Sequence, residues 1–133
     1  MSPVPLVSIV DDDVSMREAI SLVLRWHGFR TQNFESAEAF LNRAPNHEAC
    51  MIIDVQLPGI DGLELQRRLS EAPASPPVIV VSAHADDRAR HRALDAGAVA
   101  FLRKPFTDDQ LVQSVEHALG AEPADDASSD QPA

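Results

Sequence analysis

The strongest constraint on the fold is a series of short apolar runs, each of which is followed within two positions by a polar residue of interest. The runs at residues 6–10, 50–53, 78–81 and 99–102 lead to Asp11, Asp54, Ser82 and Lys104, and a segment with helical spacing follows each one. Strands that are apolar throughout are covered on both faces, as in a parallel sheet with helices on each side. The pattern therefore predicts an α/β fold.

A fifth strand at residues 29–34 completes five predicted strand–helix units. Ser15 with Glu18, and Thr107 with Gln110, have the spacing of capping boxes at helix starts. Ser36 can cap a third helix, through residue 41, and leucines at helical spacing predict a fourth at residues 63–69. A fifth is expected at residues 86–96. Three glycines are expected to end helices. They are Gly28, Gly97 and Gly120.

Charge and composition limit what this chain can bind. The formal net charge is −10, and no basic face that would grip nucleic acid is visible. The chain shows neither a membrane-spanning run nor a secretory signal, and its one cysteine suits a reducing compartment, so we expect a cytoplasmic protein. Residues 1–120 are expected to form one domain. Residues 121–133, which are acidic and lack periodicity, are expected to form a disordered tail or the start of a linker.

The polar residues that follow the strands are expected to meet at one edge of the sheet. Asp11 and Asp12 follow the first strand, while Asp54, Ser82 and Lys104 follow the third, fourth and fifth. In an open doubly wound sheet, ligands bind at the carboxyl ends of the strands. Three close carboxylates repel one another unless a hard cation with oxygen ligands joins them, and Mg²⁺ suits such a site.

These side chains have the types that phosphoryl transfer requires. A carboxylate can attack phosphorus, and catalysis of that transfer consists mainly of positioning and positive charge. Asp54 stands alone after a central strand and is the best candidate nucleophile, whereas Asp11 and Asp12 are better suited to hold metal. Lys104 would supply a second cation, and the Ser82 hydroxyl a hydrogen bond. We expect a protein that is phosphorylated rather than an enzyme acting on other substrates.

Three other interpretations deserve comparison. The acidic run could be a solvated loop in which Asp13 caps the next helix. A Mg²⁺-dependent phosphohydrolase could use Asp54 as a transient nucleophile, although such enzymes tend to have a second Asp where this chain has Gln56. A flavin- or nucleotide-binding module could share the topology, yet the first loop is acidic and is not glycine-rich.

Five segments, in order, resemble the receiver domain of bacterial two-component response regulators over residues 7–119. The matching segments are Val10-Asp11-Asp12-Asp13, Ile53-Asp54-Val55-Gln56-Leu57-Pro58-Gly59-Ile60-Asp61-Gly62, Val80-Val81-Ser82-Ala83-His84, Ala96-Gly97-Ala98 and Phe101-Leu102-Arg103-Lys104-Pro105-Phe106. The resemblance implies a flavodoxin-like (βα)₅ fold with strand order 2-1-3-4-5. It also implies a signalling switch that is phosphorylated on Asp54 by a sensor histidine kinase or a phosphotransfer protein.

The same resemblance implies roles for individual residues. Asp11, Asp12, Asp54 and the main-chain carbonyl of Gln56 would bind Mg²⁺, and Lys104 would join Asp54 and Ser82 in the reaction. Ser82 and Phe101 would form the switch pair, Gln56 and His84 would influence hydrolysis of the phosphoryl group, and Lys104–Pro105 would be a cis peptide. Phosphorylation would remodel the face at residues 86–119 for partner binding or homodimer formation. We expect no nucleic-acid or membrane contact by this domain.

Overall fold

The computed structural model describes residues 4–43, 47–83 and 87–120, which form five strands and five helices in alternation. The strands are β1 (Leu6–Val10), β2 (Arg30–Phe34), β3 (Cys50–Asp54), β4 (Val78–Ser82) and β5 (Ala100–Arg103). The helices are α1 (Val14–Trp26), α2 (Ala37–Leu41), α3 (Gly62–Ser70), α4 (Asp87–Asp95) and α5 (Asp108–Gly120). The predicted succession of elements is confirmed, with shifts of one or two residues at several ends.

The strands form one parallel sheet in the order β2-β1-β3-β4-β5. The register pairs Val10 of β1 with Ile53 of β3, and Asp54 of β3 with Val81 of β4. The carboxyl ends of the three central strands therefore lie side by side. The fold class and the strand order expected from the resemblance are both confirmed.

Each face of the sheet is covered by helices and carries its own apolar core. On one face, Val7, Ile9 and Ile52 pack with buried residues of α1 and α5. On the other face, Val10 and Ile53 pack with residues of α2, α3 and α4. Every residue of β1, β3 and β4 is buried, which explains why these strands are the apolar runs of the sequence.

The two edge strands are less buried than the three central strands, and β2 departs from the expectation that every strand is apolar. β2 is Arg-Thr-Gln-Asn-Phe, with Arg30 and Asn33 exposed, and no residue of β5 is fully buried. An edge strand has one open side, so polar residues there are tolerated and also discourage pairing with other chains. The prediction was wrong for β2, where the polar sequence reflects position in the sheet.

Helix α1 begins differently from the predicted capping box. Asp13 is the N-cap, and its Oδ1 accepts hydrogen bonds from the backbone N–H groups of Ser15 (2.9 Å) and Met16 (3.4 Å). Ser15 lies inside the helix, so its predicted role as cap was wrong, while the alternative role of Asp13 as cap is confirmed.

The capping box predicted for α5 is present, and all three glycines expected at helix ends lie among the described residues. The N–H of Gln110 donates to Thr107 Oγ1 (3.0 Å), and the N–H of Thr107 donates to Gln110 Oε1 (2.9 Å). Gly28, with φ of 93°, follows the C-cap of α1, and Gly97, with φ of 101°, lies two residues beyond the end of α4, both as expected. Helix α5 extends to Gly120, one residue beyond its predicted end.

A buried ion pair that the sequence did not reveal joins the end of α2 to the sheet. Arg43 donates from Nε and from one terminal nitrogen to the two carboxylate oxygens of Glu48, each at 3.0 Å. The Glu48 side chain is only 4% exposed, and Ser8 of β1 donates its hydroxyl to the same carboxylate at 3.3 Å. Arg43 also lies over the ring of Phe40, 3.7 Å from its centroid. These contacts fasten the ends of the segment between α2 and β3.

Helix α1 exposes three large apolar side chains. Val14 is 52% exposed, Leu22 65% and Trp26 85%. No helix in the described part of the chain has the length and apolar character needed to cross a bilayer. The expectations for His84, for Asp86 and for residues 121–133 fall outside the described residues.

Candidate functional site

The residues singled out in the sequence converge at the carboxyl edge of the sheet. Asp54 is the last residue of β3, and the chain after it is fixed by the N–H of Val55, which donates to the carbonyl of Val81 at 2.9 Å. The N–H of Lys104 donates in the same way to the carbonyl of Ser82 at 2.8 Å. These bonds bring the ends of β3, β4 and β5 into one rim, which Asp11 joins from β1.

Three carboxylates and one ammonium form the centre of this rim. Carboxylate oxygens of Asp11, Asp12 and Asp54 all lie within 4.8 Å of one another. Lys104 Nζ lies 3.1 Å from Asp11 Oδ2 and 3.4 Å from Asp54 Oδ2. Asp11 and Asp54 are 1% and 5% exposed, whereas Asp12 is open to solvent. One cation is therefore shared between two buried anions, with a third anion beside them.

Backbone groups hold the two buried carboxylates in place. The N–H of Asp13 donates to Asp11 Oδ1 at 2.9 Å, and the N–H of Gln56 donates to Asp54 Oδ1 at 3.2 Å. Arg17 of α1 donates to the carbonyl oxygen of Asp11 at 2.7 Å. The acids are thus oriented by the chain itself, as a binding site requires.

The electrostatics show that this group of charges is incompletely neutralised. Burial, and then the negative charge of Asp11, raise the pKa of Asp54 to about 6, against the opposing influence of Lys104. Burial by itself would lower the pKa of Lys104, but its hydrogen bond to Asp11 and the charge of Asp54 outweigh burial and raise it. The ammonium is therefore firmly protonated, yet Asp54 still gains by binding a proton or another cation.

The donor set fits a small hard divalent cation. All three side chains offer oxygen, two of them from the segment that follows β1 and one from the buried end of β3. Mg²⁺ is bound in proteins by one or two carboxylates together with water and phosphate oxygens. An additional positive charge would relieve the repulsion that raises the pKa of Asp54.

The remaining predicted residues surround this centre at different depths. Ser82 is 1% exposed at the end of β4, and Phe101 is half-buried in β5, where it packs against the core that faces α3 and α4. Gln56, two residues after Asp54, is exposed. The peptide bond between Lys104 and Pro105 is cis, as expected.

The sequence did not reveal how the segment from Val55 to Asp61, hereafter the β3–α3 loop, is supported. The N–H of Gly62 donates to the carbonyl of Val55 at 2.9 Å, and a Cβ at Gly62 would lie 2.0 Å from the carbonyl oxygen of Asp54. Glu38 of α2 accepts a hydrogen bond from the N–H of Ile60 at 3.0 Å. Only two glycines, Gly59 in this loop and Gly62 directly after it, hinted at such close packing.

Comparison with known proteins gives a consistent family match. Residues 7–116 match the family described as the response regulator receiver domain. The transcriptional regulatory protein FixJ of Bradyrhizobium diazoefficiens is 38% identical over 120 residues, which cover 89% of this chain and 58% of that protein. The response regulator protein TmoT of Ectopseudomonas mendocina is 39% identical over 119 residues, covering 89% and 54%.

A solved structure agrees with these sequence matches. The crystal structure of a response regulator receiver protein from Burkholderia phymatum has a TM-score of 0.77 and 42% identity, covering 89% of this chain and 97% of that one. By contrast, the chain spans little more than half the length of the two curated relatives. The similarity therefore concerns one domain of those proteins.

Proposed function

This chain belongs to the response regulator receiver domain family, and on that premise we propose that Asp54 is its phosphoacceptor. Proteins of this family act in phosphorylation-dependent two-component signalling, and Mg²⁺ binding is a general feature of the family. The observation that carries the proposal is the position of Asp54. The residue is 5% exposed at the end of β3, with a lysine and two further acids around its carboxylate.

The proposed cation ligands are Asp11, Asp12, Asp54 and the main-chain carbonyl of Gln56. When bound, Mg²⁺ supplies positive charge beside the phosphoryl oxygens during transfer. Asp11 is held for this role by the N–H of Asp13, and Asp54 by the N–H of Gln56. Asp12, which is exposed, can approach the ion without leaving a buried position.

In the proposed reaction, one carboxylate oxygen of Asp54 forms a bond to phosphorus while the bond between phosphorus and the donor histidine breaks. Lys104, 3.4 Å from Asp54 Oδ2, keeps a positive charge next to the attacking group. Ser82 brings a hydroxyl to the same rim, where it can donate to a phosphoryl oxygen. The product is an acyl phosphate on Asp54, and the donor histidine is released.

We propose that Ser82 and Phe101 transmit this event. Ser82 ends β4, and Phe101 lies on the neighbouring strand, opposite Val80. A shift of the Ser82 hydroxyl toward the phosphoryl group would open space into which the half-buried ring of Phe101 can turn. Phosphorylation would thereby favour one of two arrangements of α4, β5 and α5. Gln56 and His84 are proposed to influence how fast the phosphoryl group is hydrolysed.

The proposed partners are a phosphodonor and a second copy of the chain. The donor would be a sensor histidine kinase or a phosphotransfer protein, and the exchange would occur in the cytoplasm, where ATP is available. We define the α4–α5 face as the exposed surface of α4, β5 and α5 outside the groove that Arg92 and Asp95 of α4 line together with α3. Its α4 part carries the basic residues Arg88, Arg90 and His91, and its α5 part carries the acids Asp108, Asp109 and Glu116. Such a surface is complementary to itself when a two-fold axis sets α4 against α5.

The domain organisation follows from the same premise. Residues 1–120 are proposed to be the receiver unit, and residues 121–133 a tail or the start of a linker. The curated relatives are nearly twice as long as the matched region, and one is called a transcriptional regulatory protein. Any contact with DNA is proposed to belong to such additional sequence, because this chain carries a formal net charge of −10.

Intact mass spectrometry tests the phosphoacceptor directly. The protein is incubated with Mg²⁺ and acetyl phosphate beside two variants, Asp54→Asn and Asp61→Asn. Asp61 is an exposed acid of the same loop and caps α3, a role that asparagine fills equally well. We expect the parent and Asp61→Asn to gain one phosphoryl group and Asp54→Asn to gain none. A phosphorylated Asp54→Asn variant would refute the assignment.

The phosphohydrolase alternative is not favoured. The family match leads to a signalling domain, and the residue two positions after Asp54, where such enzymes tend to carry a second acid, is Gln56. Sustained Mg²⁺-dependent turnover of a phosphate ester, abolished in Asp54→Asn, would reopen that alternative.

A further inference from the structure

The β3–α3 loop must keep a defined shape for the proposed cation site to work. It carries both groups of Gln56 that matter, namely the N–H that donates to Asp54 Oδ1 and the carbonyl assigned as a cation ligand. The ends of the loop are fixed by the hydrogen bonds of Val55 to Val81 and of Gly62 to Val55. Residues 58–60 lie between these attachments, and a side chain from α2 reaches them.

That side chain is Glu38. Its Oε2 accepts a hydrogen bond from the N–H of Ile60 at 3.0 Å, across 22 residues of sequence. The same oxygen would lie 2.3 Å from a Cβ at Gly59, so the contact requires a residue without a side chain there. Gly59 has φ of 73°, a backbone conformation that glycine adopts without strain. The N–H of Ile60 and the absence of a side chain at Gly59 thus both accommodate the Glu38 carboxylate of α2.

The state of Glu38 agrees with a persistent contact. The hydrogen bond from Ile60 is the largest influence on its pKa and lowers it, and the charge of Arg68 acts in the same direction. Glu38 is half-buried at the start of the short helix α2. The N-cap of this helix is Ser36, whose hydroxyl accepts from the N–H of Ala39 at 3.0 Å and so fixes the backbone around Glu38. The carboxylate is therefore presented from an anchored helix.

We propose that Glu38 is a positioning residue of the phosphorylation site, which holds the β3–α3 loop so that Gln56 faces Asp54. This inference rests on the proposed function for its effect on phosphorylation. The contact itself concerns only Glu38, Gly59 and Ile60. Residues that support metal ligands from outside the coordination shell commonly affect affinity or activity by about 10–100-fold when they are replaced.

Two substitutions separate the hydrogen bond from the charge. Glu38→Gln keeps an oxygen that can accept from Ile60, while Glu38→Ala removes the acceptor; both remove one negative charge. Glu18→Gln, at an exposed position of α1, is the control for net charge. We expect Glu38→Ala to weaken Mg²⁺ binding measured by calorimetry, and to slow phosphorylation by acetyl phosphate, by about 10-fold each. Glu38→Gln and Glu18→Gln should stay within about 3-fold of the parent.

Amide hydrogen exchange followed by NMR supplies a readout that does not depend on phosphorylation. Glu38→Ala should speed exchange of the Ile60 amide and shift the Gln56 amide resonance, and Glu38→Gln should do neither. If Glu38→Ala lowers only the melting temperature, leaving Mg²⁺ affinity and the Gln56 resonance unchanged, the residue is merely structural and the proposal is wrong. If Glu38→Gln loses as much Mg²⁺ affinity and phosphorylation rate as Glu38→Ala, the loss is due to the missing charge. Positioning through the hydrogen bond is then refuted. Failure of the parent to become phosphorylated would instead count against the proposed function.

Discussion

Replacing Asp54 by Asn should make the metal-free protein more stable at neutral pH, although it removes the central residue of the site. In the folded state Asp54 is 5% exposed and shares Lys104 with Asp11, so its ionised form is disfavoured by burial and by repulsion. Asparagine carries no charge and can still accept the hydrogen bond from the N–H of Gln56. The substitution therefore relieves repulsion and leaves Lys104 paired with Asp11.

The magnitude follows from the pKa of Asp54, which rises from 3.8 to about 6 on folding. Fully expressed, this shift corresponds to about 3 kcal/mol of destabilisation at pH 7. Water at the open rim screens part of it, so we expect Asp54→Asn to gain about 1–2 kcal/mol. The folded state binds a proton more tightly than the unfolded state, so stability of the parent rises as pH falls through 6 toward 4. The advantage of the variant should therefore shrink to about half at pH 5.

Urea titration followed by far-ultraviolet circular dichroism, in EDTA at pH 7 and pH 5, measures the difference. The slopes of the two transitions should agree, so that the shift in midpoint reports stability alone. Asp61→Asn is the matched control, since it removes an exposed charge and should change the free energy of unfolding by less than about 0.5 kcal/mol. A less stable Asp54→Asn variant at pH 7, or a gap that widens on acidification, would refute the electrostatic reasoning. Adding Mg²⁺ should stabilise the parent more than the variant.

Three further predictions address packing, charge and assembly. Gly62→Ala should lower the free energy of unfolding by about 2 kcal/mol or more, because its Cβ would lie 2.0 Å from the carbonyl oxygen of Asp54. Gly120→Ala is the control for the same urea titration: a Cβ there meets nothing within 4 Å, so this variant should not be destabilised. Lys104→Met should destabilise the metal-free protein by about 2–3 kcal/mol at pH 7, since two buried carboxylates lose their cation; an unchanged midpoint would contradict this. Arg90→Glu should weaken self-association of the phosphorylated protein by about 10-fold in analytical ultracentrifugation. Arg92→Glu, on the side of α4 toward α3, should leave self-association unchanged, and equal effects of the two would argue against the α4–α5 face.

Much of the fold could be predicted from the sequence because the three central strands are buried on both faces. β1, β3 and β4 can hold only apolar or small side chains along their length, and their polar ends are then conspicuous. Parallel strands carry those ends to a single edge, which is why Asp11 and Asp54 could be expected to meet. The chemistry of the site was thus visible in residue types at strand ends.

What could not be predicted depends on contacts between distant parts of the chain. The burial of Glu48 by Arg43 and Ser8, and the contact of Glu38 with Ile60, leave no local pattern, because a glutamate in a helix or loop is ordinarily solvated. The cap of α1 was a different difficulty. Asp13 and Ser15 are both favourable N-cap residues, and local sequence does not decide between them.

The exposure of Trp26 decides how this protein can be observed. It is the sole tryptophan in a chain without tyrosine, and it is 85% exposed. We therefore expect its indole to emit much as it would in an unfolded chain. Intrinsic fluorescence should therefore change little on denaturation. It should also change little on phosphorylation of Asp54, which lies at the end of β3 and not on α1. A partner that covers the end of α1 would transfer the ring from water to an apolar contact and shift its emission to shorter wavelengths. Trp26 is thus a poor reporter of folding, but its fluorescence can report the binding of a partner to α1.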